Sequence, residues 1–243
     1  MTTIAVLADP PVEGCVPTLL PDSFAPEKQV ALYRAVLADV CDTIQRGGAD
    51  LLVNYRQPAA VPDGVEPESA LRSLLEEELA DPGTVRYEVQ VGESYAGRVG
   101  NTLTHLLETE EKRTVAVAEP TALFLRREHI GTMAMQLRSN DVVLGPAPDG
   151  RVYFAAFGEP IDFTDVFASP AIETLAERCT DAGLGVSFLP MTPVLEGPAD
   201  LQSVVSLLRA RIYAGGLVPK RTATLVADWD LSVSDGTVQS NSS

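Results

Sequence analysis

Residues 140–157, "NDVVLGPAPDGRVYFAAF", set the architecture, and the rest of the chain is best understood outward from them. An apolar run, Val142 to Leu144, breaks at Gly145-Pro146, passes Asp149-Gly150, and resumes as an aromatic-rich run ending at Phe157. Asp-Gly supplies the backbone conformations that tight turns between strands require. The segment therefore predicts two buried strands joined by a turn. The carboxylate of Asp149 has two readings: it forms the turn, or it serves a metal, a sugar hydroxyl or a base.

On both sides of this pair, short apolar runs alternate with longer amphipathic ones. "TIAVLA" (3–8), "DLLVNY" (50–55), "TVRYEVQV" (84–91), "RTVAVA" (113–118) and "GVSFLP" (185–190) read as strands. In "PEKQVALYRAVLADVCDTIQRGG", Val30, Tyr33, Leu37, Val40 and Ile44 share one helical face, and Gly47-Gly48 ends the helix. Further helices are expected over 67–81, 96–109, 125–138, 170–182 and 198–212. Continuous apolar strands separated by amphipathic helices imply an α/β fold, with a mainly parallel sheet covered on both faces. Ligands in such sheets sit beyond the carboxyl ends of the strands. The informative loops are then 9–26, 91–97, 118–124, 145–151 and 190–198. The tail "VSDGTVQSNSS" lacks apolar anchors and is expected to be disordered.

Composition narrows the function. The 243 residues are 45% hydrophobic and carry a formal net charge of −16, with lysine only at positions 28, 112 and 220. An acidic chain poor in lysine points to a halophilic source, with an ordinary acidic cytosolic protein as the alternative. No basic stripe is available to neutralise phosphates, which argues against nucleic acid or an anionic membrane as partner. Cys15, Cys41 and Cys179 are odd in number and widely spaced, so neither a disulfide framework nor a zinc site is indicated. With no signal-peptide pattern and no apolar run of the roughly 20 residues a membrane span needs, the expected location is cytoplasmic.

Two local motifs invite chemistry. "GESYAG" (92–97) follows a strand and precedes a helix, so Ser94 could mimic a hydrolase nucleophile elbow. That fold needs an acid and then a histidine later in the chain. Only His105 and His129 exist, and no aspartate separates Ser94 from His129. The order argues against the triad. The first loop, "ADPPVEGCVPTLLP" (8–21), lies where phosphates would sit but has one glycine and no lysine.

From about residue 3 to 211 the chain resembles the small bacterial and archaeal family of glycosyltransferase-A-like proteins related to the guanylyltransferase of deazaflavin-coenzyme synthesis. The family's first loop, A-K-x-P-x-x-G-x-x-K-T-R-L, aligns without gaps with "ADPPVEGCVPTLL", matching Ala8, Pro11, Gly14, Thr18 and Leu20. Its Q-x-G-x-L-G-x-R is similar to "QVGESYAGR" and places Arg98 at the arginine. Its D-V-V-L-G-P-A-x-D-G-G-Y-Y is similar to "DVVLGPAPDGRVY", the most specific segment. Its late D-V-D-T-P-E-D-L is recognisable in "VLEGPADL" (194–201). The resemblance implies a three-layer α/β/α nucleotide-diphospho-sugar transferase fold over residues 1–212, with 213–243 as a partly disordered C-terminal extension. It also implies a nucleotide or nucleotide-sugar partner over the first loop, and Mg²⁺ or Mn²⁺ held by carboxylates.

The departures reshape those expectations. Asp9, Pro17 and Leu19 replace the three cations of the family's first loop, Ala118 replaces a metal-binding aspartate, and Arg151 replaces the second glycine of the turn. Val194 and Glu196 stand at the two late aspartates. Each lost charge-assisted contact removes about 1.5–3 kcal/mol, so phosphate binding is weakened. By this resemblance Asp149 and Glu119 are the catalytic candidates, and Asp149, Glu119 and Glu196 the metal candidates. Gly14, Thr18, Arg98, Gly150, Arg151 and Tyr153 are the ligand-binding candidates, with Arg56 a further cation. The expectation is a transferase-like protein with weakened or lost catalysis and a retained ligand pocket. The alternatives are an active nucleotidyl- or glycosyltransferase with a rebuilt phosphate site, and a non-catalytic module that binds a protein or a second copy.

Overall fold

The computed structural model describes residues 1–234 and 236–240. Seven strands form one sheet: β1 (Thr3–Ala8), β2 (Asp50–Tyr55), β3 (Arg86–Val89), β4 (Val115–Ala118), β5 (Val142–Pro146), β6 (Val152–Phe157) and β7 (Val186–Phe188). Their order is β3-β2-β1-β4-β6-β5-β7, and β6 alone runs antiparallel to its neighbours β4 and β5. The sheet is mixed and mainly parallel, as its apolar strands imply. Every residue of β1, β4 and β6 is buried, because helices cover both faces of the central strands.

The side-chain alternation of each strand feeds two cores. Ile4, Val6 and Ala8 point into one with α1 (Pro26–Arg46), α2 (Pro67–Glu78), α4 (Arg127–Gln136) and α6 (Pro198–Tyr213). Ala5 and Leu7 point into the other with α3 (Tyr95–Thr104) and α5 (Ala171–Asp181). The period-two rule is interrupted once in β6, where Tyr153 and Phe154 both join the first core. The cause is a register shift between Gly145 and Pro146 on the partner strand. A Cβ on Gly145 would lie 2.7 Å from the Tyr153 ring, so only glycine leaves room for that ring. The turn itself carries two successive left-handed residues, Asp149 (φ 60°) and Gly150 (φ 73°). Aspartate tolerates that region better than most side chains, and glycine adopts it without strain.

The expected C-terminal tail is built differently. α7 (Lys220–Asp228) packs on α1, and β8 (Leu231–Ser234) and β9 (Thr237–Ser240) form an antiparallel hairpin. Leu231 is fully buried, and Val233 and Val238 pack against the first core. These are the apolar anchors that the sequence reading found lacking. Ser232 and Gln239 alternate with them, which is why the segment looks polar on inspection. Positions 235 and 241–243 of the tail lie outside the described residues. α7 is fastened by Asp39 on α1, whose carboxylate accepts the backbone N–H of Arg221 and Thr222 at 3.1 and 2.8 Å. Among the described residues, no helix is long and apolar enough to cross a membrane.

Candidate functional site

At the carboxyl ends of the central strands lies a cleft of about 170 Å³, where open parallel sheets hold ligands. Asp9 follows β1, Arg56 follows β2, Gln90 follows β3 and Glu119 follows β4. Tyr95 and Arg98 come from the start of α3, and Glu196 from the loop before α6. α3 is placed by Ser94, whose hydroxyl accepts the Gly97 N–H at 3.0 Å as an N-cap. The serine of "GESYAG" is thus a helix cap, and the residue after it is the one that faces the cleft.

Three carboxylates and two guanidiniums share this space. Asp9 lies 3.7 Å from Arg56, and its backbone N–H donates to the Tyr33 hydroxyl at 2.9 Å. Burial pushes the Asp9 carboxyl up, while Arg56 and then Arg98 pull it down. The Tyr95 hydroxyl donates a short hydrogen bond to Glu119. Burial pushes Glu119 up to about 7; the Tyr95 bond opposes the rise and the Glu196 charge adds to it. Glu196 is also raised by burial, against the nearby positive charge of Arg151. Arg98 is lowered by burial and then by Arg56, and its buried Nε has no hydrogen-bond partner. Near neutral pH Glu119 can therefore hold or release a proton, in a cleft where Arg56 is paired with Asp9.

The structure brings together three of the expected residues, Glu119, Glu196 and Arg98, with Arg56 beside them. It does not bring the others to the cleft wall. The Asp149 side chain is 86% exposed and stands 3.5 Å from Arg151, so its carboxylate faces solvent and its backbone makes the turn. Gly150 is held by turn geometry and by Pro170, 2.9 Å from where a Cβ would stand. Tyr153 is fully buried, its hydroxyl donating to the Pro190 carbonyl at 3.2 Å. Arg151, expected on phosphate, grips both oxygens of Asp200 at 2.6 and 2.9 Å and reaches Glu196 at 3.4 Å. Asp200 in turn accepts the Glu196 and Gly197 N–H groups, so this arginine is spent on fixing the 196–200 loop. Gly14 and Thr18 are exposed on the first loop, where Pro17 is the residue turned to the cleft. The N–H groups of Leu19 and Leu20, natural phosphate donors, are both taken by the Gln29 side chain at 2.9 Å.

The expected metal set does not assemble. Asp149 is outside the cleft, and among the described residues no three His, Cys, Asp or Glu side chains come together to hold a metal ion. Of the remaining pair, Glu119 is engaged by Tyr95 and Glu196 by Arg151. A cation such as Mg²⁺ needs one or two free carboxylates besides water and phosphate oxygens, and two carboxylates already bonded to protein donors do not fit a resident ion. Tyr95 and Gln90 were missed as site residues. Tyr95 was hidden by the neighbouring Ser94, and Gln90 is a polar residue ending a strand. Its amide donates to the Asn54 carbonyl at 2.9 Å, bridging β2 and β3 at the cleft floor.

No family model matches the chain, and no curated protein matches it. Solved structures do. A candidate nucleotide-diphospho-sugar transferase from Desulfovibrio desulfuricans G20 superposes with a TM-score of 0.75 at 20% identity, over 94% of this chain and 95% of its own. A 4-diphosphocytidyl-2C-methyl-D-erythritol synthase from Anaerococcus prevotii DSM 20548 gives 0.51 at 13% identity, over 86% and 97%. Another structure of a synthase with that name gives 0.52 at 14%, over 85% and 97%. With the sheet order, the two covered faces and the cleft beyond the strand ends, these likenesses place the chain in the nucleotide-diphospho-sugar transferase fold.

Proposed function

We propose that this protein is a ligand-binding relative of the nucleotide-diphospho-sugar transferases in which metal-assisted transfer has been lost. The cleft takes a compact, hydroxyl-bearing ligand, a sugar or the nucleoside part of a nucleotide. The observation that carries this reading is the charge arrangement around Asp9. Where the resembled family has a cation, Asp9 offers a carboxylate and occupies Arg56 at 3.7 Å. Nearby, Pro17 and Leu19 supply no charge, and Gln29 takes the loop's N–H donors. A polyphosphate entering here would meet Asp9, Glu119 and Glu196 with no metal cage to offset them. A hydroxyl-bearing ligand suits the same groups, since Glu119 can accept or donate and Asp9 and Glu196 accept. The cleft volume of about 170 Å³ also falls below the roughly 300–1,000 Å³ that drug-sized ligands occupy.

A second reading rests on Arg98. Its unpartnered, buried Nε beside Arg56 is the start of a rebuilt anion site, which an active transferase would use for phosphate. Calorimetry in molar KCl separates the two. The first reading expects heats from free sugars or nucleosides that do not depend on Mg²⁺ and are reduced by Glu119→Gln. Tight nucleoside triphosphate binding that requires Mg²⁺, or turnover of a nucleotide-sugar, would establish the second and refute the first.

A further inference from the structure

Away from the cleft, a cavity of about 150 Å³ opens between the ends of α1 and α6 and the start of α4. Its polar walls are arginine: Arg126 and Arg127 at the head of α4, Arg211 in the last turn of α6, and Arg46 in the last turn of α1. The Arg211 guanidinium lies over the Phe124 ring at 4.5 Å, and Leu217 and Val218 complete an apolar side. Arg46 is paired with Asp42 at 2.9 Å. Among the described residues, Arg126, Arg127 and Arg211 form no ion pair. Glu128 is the one carboxylate on the wall, and it pairs with none of them.

Arginines without a carboxylate partner stand out in a chain with 34 acidic and 18 basic residues. Elsewhere arginines such as Arg34, Arg72, Arg86 and Arg221 have recruited carboxylates. Here like charges converge instead, closely enough that Arg126 adds to the effect of burial in lowering Arg211. Several guanidiniums on one recess match an oxyanion with more than one negative charge better than a single carboxylate. No side chain caps α4, so the positive end of that helix faces the same space. The aliphatic side formed by Leu217 and Val218 suits an ester group attached to the anion.

We propose that this cavity binds a small soluble phosphate monoester, with Arg126, Arg127 and Arg211 holding the phosphate and Leu217 and Val218 packing on its organic part. The site is separate from the cleft, although one segment walls both: Glu119 to Thr121 face the cleft and Leu123 to Glu128 the cavity.

Titration calorimetry of the full chain with phenyl phosphate and with inorganic phosphate, at constant ionic strength, tests it. The expected result is saturable binding, tighter for the ester. Arg126→Gln, Arg127→Gln and Arg211→Gln should each weaken it roughly tenfold or more. Glu128→Gln should strengthen it, and Arg98→Gln in the cleft should leave it unchanged. Arg126 and Arg127 are exposed, so their variants can be checked for an unaltered fold by circular dichroism. Binding abolished by Arg98→Gln but not by the cavity variants would overturn the proposal. So would equal binding of chloride, or capture of phosphatidic-acid vesicles with no response to either free phosphate.

Discussion

Replacing Asp39 by alanine should loosen the C-terminal unit before the rest of the domain. Asp39 is 5% exposed, and its carboxylate accepts four hydrogen bonds from the start of α7. One oxygen takes the Arg221 N–H at 3.1 Å and its guanidinium at 3.2 Å; the other takes the Thr222 N–H at 2.8 Å and hydroxyl at 2.9 Å. Thr222 is fully buried and Pro219, the N-cap residue, provides no side-chain bond, so the two Thr222 donors would be left unpaired, while the Arg221 guanidinium keeps Glu78. Each buried donor left unpaired costs about 1–3 kcal/mol, and Thr222 has two of them. The expected loss is therefore about 2–6 kcal/mol. Domains are typically stable by about 5–15 kcal/mol, which makes that loss large enough to unseat α7 locally. The single tryptophan, Trp229, directly follows α7, with the Lys28 ammonium 5.2 Å from its ring, and reports on this region alone. Urea unfolding followed by Trp229 fluorescence and by far-ultraviolet circular dichroism should coincide in the wild type. In Asp39→Ala the fluorescence transition should come first. Coincident transitions with a loss below about 1 kcal/mol would show that α7 is held by packing alone, and would refute this account of the fastening.

Three further outcomes follow from the site and the turn. Glu119, near 7 when folded against 4.5 ordinarily, favours the folded state fully below pH 4.5 and loses that advantage as pH rises through about 7. Glu119→Gln should match the wild type at pH 4 and exceed it by about 3 kcal/mol at pH 8 in urea titrations; a pH-independent difference would contradict the burial of that charge. Gly145→Ala puts a methyl 2.7 Å from the fully buried Tyr153 ring and should cost about 1–3 kcal/mol, measured by the same unfolding, with no change in ligand heats. Arg151→Met removes the paired bonds to Asp200 and should cost about 1.5–3 kcal/mol. It also removes the cation that holds Glu196 down, so that carboxyl should titrate at still higher pH by NMR.

Much of the fold was legible because its signals are local. β1, β4 and β6 are unbroken apolar runs, and their burial follows from the two helical layers that the alternating helices imply. The strand pair at 142–157 was readable from Asp149-Gly150, whose left-handed backbone is a property of two adjacent residues. The same locality misled at the C-terminus, where Leu231, Val233 and Val238 are too few to read as a strand until α6 and α7 supply the surface they cover.

The site was another matter. Glu119, Glu196 and Arg98 were named from the resemblance, and all three line the cleft beyond the strand ends. Asp149 and Arg151 sit in the segment most like the resembled family, yet their side chains go elsewhere: one to solvent, the other to Asp200, 49 residues away. The bond from Tyr95 to Glu119 likewise joins positions 24 apart on different elements. Residue order states which groups exist and which lie near strand ends. Which acid meets which base depends on how the loops converge in space, and burial then sets whether each charge survives. That convergence makes the first loop one wall of a cleft where Asp9 answers Arg56 and Glu119 is poised to hold a proton.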